Sequence, residues 1–247
     1  MPDLVLLRHG QSTWNAEGLF TGWVDVDLTP EGEEEARQAG RLILAEQERG
    51  LDLKVLHTSV LTRAVRTANL ALDELGRSWI PVRRHWRLNE RHYGALQGKN
   101  KKETTDEYGI DQVKVWRRSY SIRPPAIAPE HHPVHDRRYS SVPAAALPAS
   151  ECLADVVARM VPYWEDVIVP DLYSFGGVFV VAHGNSLRAL VKYLMALSDE
   201  EIVGVEIPTG VPWVFHLGPD LSVIEERLLG DPDAIKAAKE ATARQAG

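Results

Sequence analysis

Two unbroken apolar runs, residues 4–7 and 178–181, constrain the fold of this chain more than any other sequence feature. A strand that is apolar at every position is buried on both faces, as happens when helices cover both sides of a parallel sheet. Helical segments alternate with these runs, and Thr29 followed by Pro30 and several acidic residues forms a typical helix start. This alternation predicts an α/β fold with three layers, α/β/α, and a mostly parallel central sheet.

Shorter segments complete the predicted fold. Strands are predicted at residues 54–57, near 80–82 and near 211–217, and helices at residues 59–75, 151–169 and 186–197. Pro162 should kink or interrupt the 151–169 helix, because proline has no N–H to donate and its ring clashes with the preceding turn. The segment 231–247 is rich in Ala, Lys and Glu, and we expect either a frayed helix or a mobile flap there.

The composition is that of a soluble globular protein, with 26% charged residues and a single cysteine, Cys152. One cysteine cannot form an internal disulfide framework and is typical of a reducing compartment. The sequence shows no signal-peptide pattern and no stretch near the roughly 20 apolar residues that span a bilayer, so no membrane partner is expected. The net charge of −7 disfavours a nucleic-acid partner. We therefore expect one cytoplasmic domain over residues 1–247.

Charge is distributed unevenly along the chain. Residues 83–138 carry 13 Lys and Arg against 7 Asp and Glu, whereas the whole chain carries 28 against 35. This segment is either a solvated surface insertion or a positive wall over a site for a small anion, since focused positive potential concentrates anionic ligands. Residues 89–149 show little periodicity and are rich in proline towards their end, which predicts a basic lid or insertion.

The same short motif follows both apolar runs. His9 and Gly10 follow the first run, and His183 and Gly184 follow the second. A lone histidine at such a place more often satisfies loop carbonyls than performs chemistry. The carboxyl ends of parallel strands meet at one edge of a sheet, however, and ligands bind there. The repeated motif therefore predicts two imidazoles over one crevice.

Paired histidines with arginines suit phosphoryl transfer. An imidazole can attack phosphorus and form a phosphohistidine, which divides one transfer into two steps. Arg8 precedes His9, and Arg63 lies at the start of a predicted helix, so both guanidinium groups could hold phosphoryl oxygens. Glu90, where the basic segment begins, could act as general acid and base. Taken singly, Arg63 and Glu90 would more often be surface ion-pair residues.

These motifs resemble those of a known superfamily. Residues 7–12, followed by Asn15 and residues 21–23, resemble the signature of the histidine phosphatase superfamily. The segments that extend the resemblance to the cofactor-dependent phosphoglycerate mutases are residues 58–67, 88–98, 116–118 and 182–190, together with Asn100 and Lys101. The resemblance runs from about residue 3 to about residue 217.

The resemblance implies a role for each matching residue. His9 would be the nucleophile that carries the phosphoryl group, His183 would support that group in the transition state, and Glu90 would be the general acid and base. The residues that would hold the phosphoryl group in transit are Arg8, Asn15, Arg63 and Asn185. The residues that would bind the carboxylate and distal phosphate of phosphoglycerate are Thr21, Gly22, Tyr93, Lys101, Arg117 and Arg118, with Lys99 and Lys102 as alternatives to Lys101.

The resemblance also implies an activity. This is the interconversion of 3-phosphoglycerate and 2-phosphoglycerate in glycolysis and gluconeogenesis, through a 2,3-bisphosphoglycerate intermediate. The same bisphosphate would be the cofactor that primes the histidine, and no metal would be required. The implied oligomeric state is a homodimer or a homotetramer.

Three alternatives remain open at this point. A phosphatase of the same superfamily would use the same histidines with water as the acceptor, although a long basic segment favours a mutase, which must exclude water from its intermediate. A non-catalytic phosphometabolite-binding protein is disfavoured because His9, Glu90 and His183 are all present. The histidines of residues 131–135 could form a metal cluster, but no regular frame or partnering Cys or Asp spacing surrounds them, which favours a mobile loop closing over the site.

Overall fold

A six-stranded sheet forms the centre of the computed structural model, which describes residues 1–246. Its strands are β1 (Asp3–Arg8), β2 (Val55–Thr58), β3 (Val82–Arg84), β4 (Gly177–Ala182), β5 (Trp213–Leu217) and β6 (Val223–Leu228). They lie in the order β3-β2-β4-β1-β5-β6. The first four in this order run parallel, whereas β5 and β6 run antiparallel to their neighbours. The prediction of a mostly parallel sheet is therefore confirmed.

Helices cover both faces of the sheet. They are α1 (Thr13–Ala16), α2 (Pro30–Gln47), α3 (Thr62–Glu74), α4 (Lys101–Tyr108), α5 (Ile110–Arg118), α6 (Leu153–Tyr163), α7 (Val169–Phe175), α8 (Gly184–Leu194) and α9 (Pro232–Ala246). The side chain of Thr29 accepts the Gly32 N–H and caps α2, as the sequence predicts. Within residues 1–246, no helix combines the length and the apolar character needed to cross a membrane.

Strand β1 shows why its sequence is apolar at every position. Leu4 and Leu6 point to the cluster formed with α6 and α8, whereas Val5 and Leu7 point to the cluster formed with α2 and α3. All four side chains are at most 1% exposed, because successive residues of a strand face opposite sides of the sheet. The core thus has two halves, one on each face, and the carboxyl end of β1 lies between them.

The interruption predicted at Pro162 is present, although the helical segment runs from Leu153 to Phe175 rather than over residues 151–169. Helix α6 ends at Tyr163, one residue after Pro162. The chain then forms a π turn (Trp164–Ile168) before α7 begins. A proline leaves one carbonyl without a helical donor, and a wider turn is a common response to such a gap. The 231–247 tail is helical over Pro232–Ala246, which favours the helix over the flap, and Gly247 lies outside the described residues.

Strand β6 and helices α4 and α5 are not among the elements predicted from the sequence. Strand β6 lies at the edge of the sheet with three of its six residues exposed, so charged residues replace the alternating apolar pattern. Helix α4 has one buried residue, Thr104, and therefore no apolar stripe that would reveal a helix. The remainder of the 89–149 segment is mainly irregular loop that contains short 3₁₀ turns.

Candidate active site

The two histidine motifs meet at the carboxyl ends of β1 and β4. These strands are adjacent and parallel, with Arg8 paired to Ala182, and the His9 N–H donates to the Ala182 carbonyl at 3.0 Å. The rings of His9 and His183 lie 4.9 Å apart between centroids, at an interplanar angle of 63°. Both side chains are buried, at 3% and 0% exposure. The two imidazoles therefore lie together at this edge of the sheet, as expected, and of the two only His9 lines the cavity.

The His9 ring is arranged to present a lone pair. Its Nδ1 lies 2.7 Å from the Gly10 carbonyl oxygen, which can only accept, so Nδ1 carries the ring proton. Its Nε2 accepts from Arg63 Nε at 3.2 Å. Burial, followed by the charges of Arg63 and Arg8, holds the pKa of His9 well below 6.5. A neutral imidazole with Nε2 unprotonated is the form that can attack an electrophilic phosphorus.

Arg63 connects His9 to the loop that follows α1. Its Nη1 donates to the Val24 carbonyl at 3.1 Å and its Nη2 donates to the Gly22 carbonyl at 2.8 Å. The side chain is 1% exposed, and burial lowers its pKa to about 10, which leaves it cationic at neutral pH. Gly22 adopts a φ of +55° beside the Gln97 side chain, a conformation that a larger residue would strain. The start of α3 thereby fixes both His9 and the neighbouring cavity wall.

Glu90 reaches the same cavity from the other side. Its Oε1 accepts the backbone N–H groups of Arg91 at 2.7 Å and of Asn185 at 3.1 Å. Its backbone carbonyl accepts from Trp23 Nε1 at 2.5 Å and from Arg159 Nη2 at 2.9 Å. Two donors therefore hold the carboxyl group and two hold the backbone carbonyl of a residue that is 8% exposed, which is suited to a positioned acid or base.

Behind His9, His183 rests on a residue that the sequence analysis does not single out. Ser59 Oγ lies 2.8 Å from His183 Nε2 and accepts the Leu61 N–H at 3.2 Å. Ser59 directly follows β2, whose carboxyl end points to the same edge of the sheet, and this position is the signal that could have identified it. We infer that Ser59 fixes the orientation of the His183 ring.

Ser59→Ala should lower kcat on the order of tenfold with little change in KM, because one buried hydrogen bond of about 1.5 kcal/mol orients His183 without touching a ligand. Steady-state kinetics of the purified variant measure both constants. Ser78→Ala, which removes an exposed hydroxyl bonded to Asp73, is the matched control and should leave both constants unchanged. An unchanged kcat in Ser59→Ala would exclude this positioning role.

Basic side chains line the distal part of the cavity. They are Lys101 from α4, Arg117 and Arg118 from α5, and Arg188 from α8. Burial lowers the pKa of both Arg117 and Arg188 to about 10. Thr21 Oγ1 is buried in this wall and, within residues 1–246, has no hydrogen-bond partner. A concentration of cations with an unsatisfied hydroxyl is suited to a ligand that carries several negative charges.

Lys101 should make ligand binding depend on pH. Burial, and then the charge of Arg117, lowers its pKa from 10.5 to about 8. The ammonium is present below that pH and is lost as the pH rises through it, so the Kd for an anionic ligand should stay constant below about pH 8 and rise above it. Titration calorimetry with inorganic sulfate, which is a dianion throughout pH 6.5 to 9.5, measures this. The rise should disappear in Lys101→Met and persist in Lys114→Met, which changes an exposed lysine of α5.

The structure brings together every residue singled out from the sequence for this site. All of them except His183 line one cavity: Arg8, His9, Asn15, Thr21, Gly22, Arg63, Glu90, Tyr93, Lys101, Arg117, Arg118 and Asn185. Of the three neighbouring lysines, Lys101 faces the cavity, whereas Lys99 pairs with Glu107 at 3.6 Å. Residues that also line the cavity but were missed include Arg188, Glu206 and Thr242.

The histidines of residues 131–135 lie elsewhere. His131, His132 and His135 line a second cavity together with Trp23 and Tyr139. Among the residues the structure describes, no group of three or more His, Cys, Asp or Glu side chains is placed to hold a metal ion. A loop of this segment that closes over the first cavity stays a prediction.

Comparisons with known proteins agree on one family. Residues 4–142 and 123–220 match the family model of the histidine phosphatase superfamily, branch 1. A 2,3-bisphosphoglycerate-dependent phosphoglycerate mutase of Thermobifida fusca is 57% identical over 251 residues, which cover 99% of each chain. A second protein of the same name, from Nitratidesulfovibrio vulgaris strain Hildenborough, is 55% identical over 247 residues, which cover 99% of this chain and 98% of that protein.

Solved structures share the fold at lower identity. A mycobacterial glucosyl-3-phosphoglycerate phosphatase superposes with a TM-score of 0.69 at 23% identity, covering 92% of this chain and 97% of that one. A putative alpha-ribazole-5'-P phosphatase from Escherichia coli superposes with a TM-score of 0.68 at 19% identity, covering 94% and 98% of the two chains. At these identities the likeness extends to the fold alone.

Proposed function

Because the chain belongs to the histidine phosphatase superfamily, and within it to the 2,3-bisphosphoglycerate-dependent phosphoglycerate mutases, we propose that it interconverts 3-phosphoglycerate and 2-phosphoglycerate. The observation that carries the proposal is the pair His9 and His183, whose rings pack edge-on with centroids 4.9 Å apart beside a cavity lined by cations. This reaction belongs to glycolysis and gluconeogenesis, and we place the protein in the cytoplasm.

His9 is the proposed nucleophile. With 2,3-bisphosphoglycerate bound, its Nε2 lone pair attacks one phosphorus in line with the leaving oxygen, and the P–O bond to the bisphosphate breaks as the N–P bond forms. Before the attack, Arg63 Nε, which lies 3.2 Å from Nε2, moves its hydrogen bond to a phosphoryl oxygen and so frees the Nε2 lone pair. Arg8, Asn15 and Asn185, which line the same part of the cavity, hold the remaining oxygens as charge builds on them.

His183 and Glu90 have separate proposed tasks. His183 lies behind His9 and stabilises the phosphoryl group in the transition state. Glu90 protonates the leaving oxygen of the bisphosphate when His9 is loaded. When 3-phosphoglycerate is the acceptor, Glu90 removes the proton from its attacking hydroxyl, and 2,3-bisphosphoglycerate forms again. Its backbone contacts keep the carboxyl group at the cavity wall in both steps.

The distal cations fit a substrate that carries a carboxylate and a second phosphate. We propose that Tyr93, Lys101, Arg117, Arg118 and the Thr21-Gly22 loop bind these groups. The cofactor 2,3-bisphosphoglycerate supplies the phosphoryl group that loads His9, and the two cationic regions of the cavity match its two phosphates. No metal takes part in this scheme. Residues 89–149 contribute the basic wall and form part of the single domain proposed for residues 1–247.

A homo-oligomer, either a dimer or a tetramer, is part of the proposal. Strand β3 lies at the edge of the sheet, and all three of its residues are exposed. Trp79, just before this strand, is 72% exposed. An open strand edge beside a large aromatic side chain is suited to pairing with another copy. Multi-angle light scattering measures the mass in solution.

Transfer of a labelled phosphoryl group tests the proposed activity against a phosphatase. Enzyme loaded with ³²P from 2,3-bisphosphoglycerate should pass the label to added 3-phosphoglycerate much faster than to water. Label that passes to water at the same rate with or without 3-phosphoglycerate would assign the protein to the phosphatase alternative.

A further inference from the structure

One carboxylate lies in the cation-lined cavity without a place in the proposed reaction. Glu206 lines the cavity, and its Oε1 lies 2.6 Å from Arg118 Nη2. The two side chains are 21% and 24% exposed, so the pair faces the cavity rather than open solvent. Arg118 is a proposed ligand for the distal anionic groups of the substrate. In the free protein, the Glu206 carboxylate therefore pairs with the Arg118 guanidinium that would otherwise bind the anionic groups of the substrate.

The backbone around Glu206 is anchored on both sides to arginines of the same cavity. The next residue, Ile207, accepts from Arg8 Nη1 at 2.9 Å through its carbonyl. Four residues earlier, Ile202 accepts from Arg188 Nη2 at 2.6 Å. The backbone of this segment is thus held in the wall by contacts that do not depend on Arg118, which keeps Glu206 at the edge of the cavity when a ligand takes Arg118.

The effect of such a charge depends on the ligand. A phosphate ester carries about −1.5 to −2 at neutral pH, so a bisphosphorylated ligand exceeds a monophosphorylated one by nearly two charges. Repulsion grows in proportion to ligand charge at a given distance. Glu206 also competes for Arg118, which shares its neighbourhood with Arg117 and Arg188.

We propose that Glu206 is a specificity-determining residue that weakens the binding of bisphosphorylated ligands more than that of monophosphorylated ones. The inference rests on the proposed function, because it assumes that phosphoglycerates bind in this cavity. Because Glu206 weakens the binding of 2,3-bisphosphoglycerate, this cofactor should exchange between the cavity and the solution.

Glu206→Gln tests the inference through binding alone. In a His9→Ala background, which prevents phosphoryl transfer, titration calorimetry with 2,3-bisphosphoglycerate and with 3-phosphoglycerate gives the two dissociation constants. Glu206→Gln should lower the Kd for the bisphosphate about tenfold and that for the monophosphate about threefold. Both gains should shrink at high salt, since the pair is partly exposed.

The controls separate this inference from the proposed function. Glu225→Gln removes the same charge from β6, where the side chain is 62% exposed, and should leave both constants unchanged. If Glu206→Gln binds both ligands only as tightly as its parent does, or more weakly, Glu206 does not oppose bisphosphate binding and the inference is wrong. If the His9→Ala parent, folded by circular dichroism, binds neither ligand, the proposed function itself is wrong and the inference fails with it.

Discussion

Replacing His9 by alanine should lower turnover of phosphoglycerate by at least about 10⁴-fold, as expected for the loss of a covalent nucleophile. No other described side chain presents an unprotonated nitrogen at the same position, because His183 lies behind His9 with its Nε2 beside Ser59. The fold should survive, since the substitution removes one ring while the backbone bond from His9 to Ala182 remains. Kinetics and circular dichroism measure the two effects.

The acid and base stability of the phosphoryl group on the protein tests the role of His9 independently of the turnover rate. The wild-type protein should take up a phosphoryl group that is stable in base and labile in acid, and His9→Ala should take up none. His135→Ala, which changes an exposed histidine outside the cavity, is the matched control and should label normally. Normal mutase activity in His9→Ala would disprove the proposed mechanism.

Glu90→Gln should reduce kcat on the order of 10²–10⁴-fold, which is the usual contribution of a general acid and base. Glutamine keeps an oxygen that can accept the Arg91 and Asn185 N–H groups, so the local structure should be retained. An amide cannot give a proton to the leaving oxygen or take one from the attacking hydroxyl. We therefore expect KM to change much less than kcat.

A matched substitution in the same segment separates chemistry from charge. Glu103→Gln changes an exposed carboxylate of α4 that does not line the cavity, and it should leave kcat unchanged. If Glu90→Gln and Glu103→Gln both retain full kcat, Glu90 is not the general acid and base, and another group must move the proton.

Much of this fold follows from local sequence patterns. The runs that became β1 and β4 are apolar at every position because each is buried on both faces. Helix α2 begins at Pro30 because Thr29 caps it. Strand β6 and helix α4 have no such pattern, since their side chains are mostly exposed and their position depends on neighbours distant in sequence.

The same distinction applies to the site. His9 and His183 could be paired from the sequence because a repeated motif follows two buried strands. Glu206 carried no signal, since its contact with Arg118 joins positions far apart along the chain. Ser59 could have been found from its place after β2, but its contact with His183 is a property of the folded packing.

The most direct test of the central claim is isomerisation of 3-phosphoglycerate with trace 2,3-bisphosphoglycerate in excess EDTA, following 2-phosphoglycerate and free phosphate together. A phosphohistidine mutase should form 2-phosphoglycerate rapidly, only when primed, and should release little phosphate. Phosphate release without isomerisation would contradict the account, because the loaded histidine would then deliver its phosphoryl group to water.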